Sequence, residues 1–222
     1  DTFVGGAGAD TMDGGLGFDI VDYSASGTAV NVNLTTGLGK GGDAQGDQYA
    51  NIEKIIGSAY SDQLTGGPGS NVINGGAGDD LISGGEGSDV LDGGTGNNKL
   101  WGGAGSDTFH FTAPASLPTT PSSSPEMDRI MDFSGSRDAT AEHDHIDLSS
   151  YNAVANGPLH FNDADPHHFD RTAGSIRSFF DVQGDTVVQA DLDGNGKFDK
   201  GIDFEVVVKG HHDLQASDFL LS

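Results

Sequence analysis

An apolar residue returns at every ninth place over much of this chain. Residues 57–110 parse into six consecutive nonapeptides, GSAYSDQLT, GGPGSNVIN, GGAGDDLIS, GGEGSDVLD, GGTGNNKLW and GGAGSDTFH. Two more, GGAGADTMD and GGLGFDIVD, fill residues 5–22, and DTFV at the start is the tail of another. The eighth place holds Phe3, Met12, Val21, Leu64, Ile73, Ile82, Leu91, Leu100 and Phe109, nine apolar residues in nine against a background of 34%. That regularity marks a true period rather than low complexity. The first place is glycine in every full unit. The sixth is Asp1, Asp10, Asp19, Asp62, Asn71, Asp80, Asp89, Asn98 and Asp107.

Period nine predicts a short strand with one inward side chain at the end of each unit and a glycine-rich turn before it. Two units make one 18-residue coil, and stacked coils place parallel strands about 4.8 Å apart. The expected fold is therefore all-β, a parallel β-roll of glycine-rich nonapeptides. Units 18 residues apart stack directly, which pairs Asp62 with Asp80, Asn71 with Asp89, Asp80 with Asn98, Asp89 with Asp107, and Asp1 with Asp19.

Charge sharpens this picture. The 222 residues hold 34 Asp and Glu against 10 Lys and Arg, a net charge of -24. Nucleic acid and anionic membranes both select cationic faces, so neither is an expected partner. There are no cysteines and 36 glycines. No apolar run approaches the about 18 residues of a membrane span, and no N-terminal signal peptide is visible. Stacked carboxylates repel unless a cation lies between them. Hard oxygen ligands with glycine-turn carbonyls suit Ca²⁺, which takes about six to eight oxygens.

The repeat resembles that of the RTX (repeats-in-toxin) family of secreted bacterial proteins. In that family an earlier unit supplies the carbonyls of its second and fourth residues and its sixth side chain. The later unit supplies its first and third carbonyls and its sixth side chain. The resemblance implies one site from Gly76, Gly78 and Asp80 with Gly93, Thr95 and Asn98, and another from Gly85, Gly87 and Asp89 with Gly102, Ala104 and Asp107. It further implies Ser58, Tyr60 and Asp62 with Gly75, Ala77 and Asp80, and Gly67, Gly69 and Asn71 with Gly84, Glu86 and Asp89. That makes four sites in residues 57–110, with Asp1, Asp10 and Asp19 giving at least one more. Asn71 and Asn98 are neutral, so their sites are expected to be weaker, and Ser58 and Tyr60 stand where glycine is usual.

Residues 23–56 interrupt the roll as a β-hairpin-like insert. Residues 29–34 (AVNVNL) alternate as a strand, and GLGKGGDAQGDQY reads as a glycine-rich turn carrying Asp43 and Asp47. That turn is either an extra Ca²⁺ loop or a solvated hairpin loop that lengthens one coil. The roll spans 1–110, a Pro/Ser/Thr connector 111–125, and a β-rich cap 126–222. DRIMDF and DHIDLS in the cap resemble the segments that close the rolls of serralysin-type proteases and alginate epimerases. There Asp132 and Asp144 either add a Ca²⁺ site or cap turns. Strands are expected at residues 186–190 and 204–209.

Asp191, Asp193, Asn195 and Gly196 match the first half of an EF-hand loop, but its twelfth place is Ile202 and its flanks read as strands. A hairpin turn is the better reading, a loosely held cation the alternative. His143, His145, His167, His168, His211 and His212 raise zinc, yet none lies in HExxH, and adjacent histidines on a strand face opposite ways. Trp101, in an outward ninth place, either stacks on a sugar or is covered by the cap.

Three function classes follow. The first is a calcium-dependent folding and export module of a larger, secreted, extracellular protein. The closing Asp218-Phe-Leu-Leu-Ser resembles a signal read by type I secretion machinery, and the start inside a repeat suggests that an N-terminal part is missing. The second is a Ca²⁺-dependent polysaccharide-binding or adhesion module. The third, a self-contained enzyme, needs a catalytic constellation that the sequence does not offer.

Overall fold

The computed structural model describes residues 1–113, 127–135, 142–155, 157–162, 169, 172–199 and 203–222. Residues 114–125 of the connector, with His167, His168 and Ile202, lie outside them. Among the described residues the helical pieces are short 3-10 turns, the longest being Ser149–Ala153. No helix is long and apolar enough to cross a membrane.

Two sheets face each other, as the 18-residue coil requires. The first has eight strands, all parallel, in the order Thr2–Phe3, Ile20–Asp22, Lys54–Ile56, Val72–Asn74, Val90–Asp92, Thr108–His110, His145–Asp147 and Phe219–Leu220. The second contains the alternate strands of each coil, Gln63–Thr65, Leu81–Glu86 and Lys99–Ala104, in parallel register with Ile82 on Leu64 and Leu100 on Ile82. Residues 18 apart therefore stack as the period demands.

The core is the column of eighth-place side chains between the sheets. Val21, Ile73, Leu91 and Phe109 from the first sheet, and Leu64, Ile82 and Leu100 from the second, are fully buried. Met12 is nearly so, while Phe3 at the end strand is half-buried. Three-residue strands such as Val72–Asn74 and Val90–Asp92 bury their central residue and turn its neighbours outward, so this length suffices. Fully burying such an aliphatic side chain contributes about 1.5–3 kcal/mol.

The insert departs from its expected form. Asn31–Asn33 is the expected strand, pairing in parallel with Gln63–Thr65. The glycine-rich stretch after it, expected as a single turn, holds two more strands, Leu38–Lys40 and Gln48–Ala50. Leu38–Lys40 pairs antiparallel to Asn31–Asn33, and Gln48–Ala50 returns parallel to Thr11–Asp13. The inward residue of Leu38–Lys40 is Gly39, where a Cβ would lie 2.3 Å from the Tyr49 hydroxyl. Glycine is there because the Tyr49 ring fills the space.

The sheets run on into the C-terminal half. Asp128–Ile130 extends the second sheet beyond Lys99–Ala104, and His145–Asp147 extends the first beyond Thr108–His110. Phe204–Val208 follows Asp128–Ile130 in parallel, then Thr186–Asp191 and Ser175–Phe180 continue antiparallel. The sequence pattern does not predict Ser175–Phe180. The closing residues form the last strand of the first sheet, with Phe219 buried.

Candidate metal centre

The sixth place of each unit immediately precedes its strand, so the stacking of strands stacks these side chains as well. Each backbone N–H there donates to the side chain one coil on. Asp62 donates to Asp80 Oδ1 at 2.7 Å, Asn71 to Asp89 Oδ1 at 2.7 Å, Asp80 to Asn98 Oδ1 at 2.9 Å and Asp89 to Asp107 Oδ1 at 2.9 Å. Asp1 and Asp19 are joined in the same way through the Asp1 nitrogen.

One carboxylate oxygen is thus fixed by the backbone, and the second is left over. The Oδ2 atoms of Asp80, Asp89 and Asp107 are buried with no hydrogen-bond partner, as are those of Asp10 and Asp19 and the Asn98 Nδ2. Burial without a partner disfavours the charged form. Desolvation pushes Asp80 up to about 7 and Asp89 and Asp107 up to about 6, with neighbouring carboxylates adding to the effect. A buried, unpartnered oxygen repeated at each coil beside a glycine turn is the donor set that Ca²⁺ requires. The residues fit the ion.

The first-place glycine owes its identity to these oxygens. A Cβ on Gly75, Gly84 or Gly102 would lie 2.3, 2.2 or 2.3 Å from Oδ2 of Asp80, Asp89 or Asp107. Second- and fourth-place glycines outside the 66–74 unit have a different cause, a positive φ, as at Gly85 (114°) and Gly87 (105°). The turn carbonyls named above link neighbouring coils. Gly76 O accepts the Thr95 N–H, Thr95 O that of Gly78, Gly67 O that of Glu86, and Ala104 O that of Gly87.

Several anticipated residues behave differently. Asp62 is satisfied: Ser58 donates its N–H to Oδ2 and its hydroxyl to Oδ1, and Val30 N–H also donates to Oδ1. Asn71 accepts the Gly67 N–H and donates to the carbonyls of Ile52 and Glu53 at 3.3 and 3.4 Å, an arrangement that fixes its amide orientation. Asp132 accepts the N–H groups of Gly102 and Gly103, and Asp144 those of Asp107 and Ser134. Both cap the last coil, and burial raises both, Asp144 to about 6.

The structure adds members that the repeat did not reveal. Asn98 N–H donates to Asp128, Asp19 N–H to Glu53 and Asp10 N–H to Asp47. Asp47 is fully buried and also accepts from the Tyr23 hydroxyl, which contacts that of Tyr49. Burial drives both phenols well above their ordinary range. Asp47 therefore belongs to the core of the insert, while Asp43 lies within the short 3-10 turn Gly42–Ala44. In the 191–203 loop, carboxylate oxygens of Asp191, Asp193 and Asp203 lie within 4.8 Å of one another. Asp191 accepts from Gly194 and Gly196, and Asp203 from Leu192 and Asp199. Asp203, one place beyond the expected twelfth, closes this turn. His211 stacks on Phe180 while His212 meets Phe133 edge-on, so the two rings part. Trp101 is half-buried.

A family model of the RTX calcium-binding nonapeptide repeat (four copies) matches residues 1–21, 56–91 and 83–113. No curated protein matches the chain. Solved structures do. The AlgE6R3 subunit of the Azotobacter vinelandii mannuronan C5-epimerase is 29% identical, with a TM-score of 0.53 over 73% of this chain and 79% of that one. The AlgE6R2 subunit of that epimerase is 28% identical, with a TM-score of 0.55 over 78% of this chain and 94% of that one.

Proposed function

We propose that this chain, which carries RTX calcium-binding nonapeptide repeats, is a calcium-folded module of a larger secreted protein that it helps to export and stabilise. The observation behind this reading is the row of buried Oδ2 atoms at Asp80, Asp89 and Asp107, each facing a glycine turn and none with a partner. In a calcium-poor cytosol these carboxylates repel and the coils stay apart. That unfolded form suits passage through a type I secretion channel. Outside, calcium at the about 10⁻⁴–10⁻³ M affinities of extracellular modules closes the coils. Circular dichroism of the chain in chelator and in millimolar Ca²⁺ tests this. Coil in the first and β structure in the second are expected, and β structure in both overturns it.

A second reading is Ca²⁺-dependent polysaccharide binding, which the resemblance to mannuronan C5-epimerase subunits supports. Its structural support lies on the outer face of the second sheet. Lys40, Asn31, Gln63, Leu81, Lys99 and Arg129 stand in one register row, with Trp101 beside Lys99 on its strand. Lys40 and Lys99 are exposed. In so acidic a chain this row brings three cationic side chains, Lys40, Lys99 and Arg129, into one line. Titration of wild type and Lys99→Glu with mannuronan, with and without Ca²⁺, separates the readings, because a pure folding module binds no glycan.

A further inference from the structure

The first sheet carries its row of acids past the end of the repeat. Asp19 is 2% exposed, and its Oδ2 is buried with no partner. That oxygen lies 3.7 Å from where a Gly17 Cβ would be, so it points into the glycine turn of its own unit. One coil on there is no nonapeptide. Residues 51–56 make the turn and the strand in six residues instead of nine.

Asn51 stands where other units place their first glycine. Its carbonyl lies 2.2 Å from the Cβ position of Gly14, as Gly75 O does from that of Gly57. Gly14 N–H donates to Ala50 O as Gly57 N–H donates to Asn74 O. Glu53 then takes the sixth place, two residues before buried Ile55, and its Oε2 accepts the Asp19 N–H at 2.8 Å. The shortcut needs two adjustments. Asn51 adopts a φ of 51°, the one positive value at a non-glycine residue among those described. Glutamate, one methylene longer than aspartate, reaches across the shortened turn. On the other side of Glu53, the Asn71 amide already occupies the carbonyls of Ile52 and Glu53. The unpartnered oxygen beside Glu53 is therefore on the Asp19 side.

We propose that Asp19, Glu53 and the Asn51 carbonyl hold a calcium ion, at a site that the insert completes and the repeat does not contain. This rests on the calcium reading above. Two carboxylates and a carbonyl offer only hard oxygens, which suits Ca²⁺. The ion ties Lys54–Ile56, the strand by which the insert returns to the roll, to the N-terminal coil. Without it, Asp19 and Glu53 repel across that joint.

Native mass spectrometry of the full chain in calcium tests the site. Glu53→Gln is expected to carry one ion fewer than wild type, and an equal count overturns the proposal. A wild type that binds no ion at all overturns the calcium reading with it, so the two failures are distinguishable. Should Glu53→Gln not fold, the wild type answers alone. In an NMR calcium titration the Asn51 amide and the Glu53 side-chain carboxyl resonances are expected to shift together, and a Glu53 carboxyl that stays in place refutes the site.

Discussion

Asp107 accepts the Asp89 backbone N–H on Oδ1 at 2.9 Å while its Oδ2 is buried and meets no donor. One oxygen is held by the coil below, and the other is left without a partner. Asp89 stands in the same relation to Asn71, so it belongs to two neighbouring rungs. Asp62 also stands in two rungs but leaves no oxygen over, because Ser58 donates to both. Asp89→Ala is therefore expected to weaken calcium binding about tenfold or more, or ~1.4 kcal/mol, and Asp62→Ala far less. Isothermal titration showing equal losses would refute the shared-ligand account.

Asn98 fills a carboxylate position with an amide. Its Oδ1 takes the Asp80 N–H, and its Nδ2 is buried without an acceptor. Asn98→Asp keeps the first contact and replaces the orphaned donor with an oxygen. Calcium affinity is expected to rise, and stability in chelator to fall, because a third stacked charge joins Asp80 and Asp128. An unchanged affinity in the same titration would mean that no ion lies beside Asn98.

Two glycine substitutions separate crowding from conformation. An alanine at Gly84 places its Cβ 2.2 Å from Asp89 Oδ2 and 2.6 Å from Gly102 O, and it must displace the carboxylate. Overpacking of this kind costs about 1–3 kcal/mol. Gly15 has a φ of 77° and nothing within 4 Å, so its alanine costs only the backbone strain of about 1 kcal/mol. Gly84→Ala is expected to impair calcium binding and Gly15→Ala to leave it nearly intact. Calcium titrations monitored by circular dichroism distinguish them.

Acidity acts in opposite directions with and without calcium. Asp80 is pushed up to about 7 and Asp89 and Asp107 to about 6, against about 4 in an unfolded chain. The folded roll thus holds these protons more tightly. In chelator their contribution to stability is full below pH ~4 and is lost as pH rises through 6 to 7. In calcium the proton competes with the ion. The calcium midpoint of folding is expected to be higher at pH 5.5 than at pH 7.5, and identical midpoints would exclude these carboxylates as ligands.

Calcium is expected to raise thermal stability substantially. At tenfold over Kd each site contributes about 1.4 kcal/mol. The Asp80–Asn98 and Asp89–Asp107 rungs together then supply about 3 kcal/mol, a large share of an ordinary domain's margin of about 5–15 kcal/mol. Mg²⁺ is expected to substitute poorly because it demands near-ideal octahedral geometry. Calorimetric scans with equal melting temperatures in Ca²⁺, Mg²⁺ and chelator would contradict this.

Period nine was legible because burial repeats with it: Leu64, Ile73, Ile82, Leu91 and Leu100 needed only counting. The sequence does not mark Glu53, and does not place Asp47 and Asp128 in the stacked row, because the stretches before them lack the nine-residue spacing of a unit. A weaker signal was present, an acid two places before a buried apolar residue, as in Asp47 with Tyr49, Glu53 with Ile55, Asp128 with Ile130 and Asp144 with Ile146. Leu38–Lys40 could not be read as a strand because its inward residue is Gly39. Asp203 was missed because the loop closes one place later than an EF-hand does.

The rungs take no account of the chain length between their partners. Asp62 and Asp80 are 18 residues apart, Asn98 and Asp128 are 30, and Asp10 and Asp47 are 37, yet the same N–H meets the same carboxylate oxygen. An excursion of different length is admissible provided it re-enters with an acid and, two residues on, an apolar side chain. The roll thus behaves as a rail of identical sockets, open to duplication, splicing and foreign cargo between any two coils, and its length is free to drift without redesign of the joints.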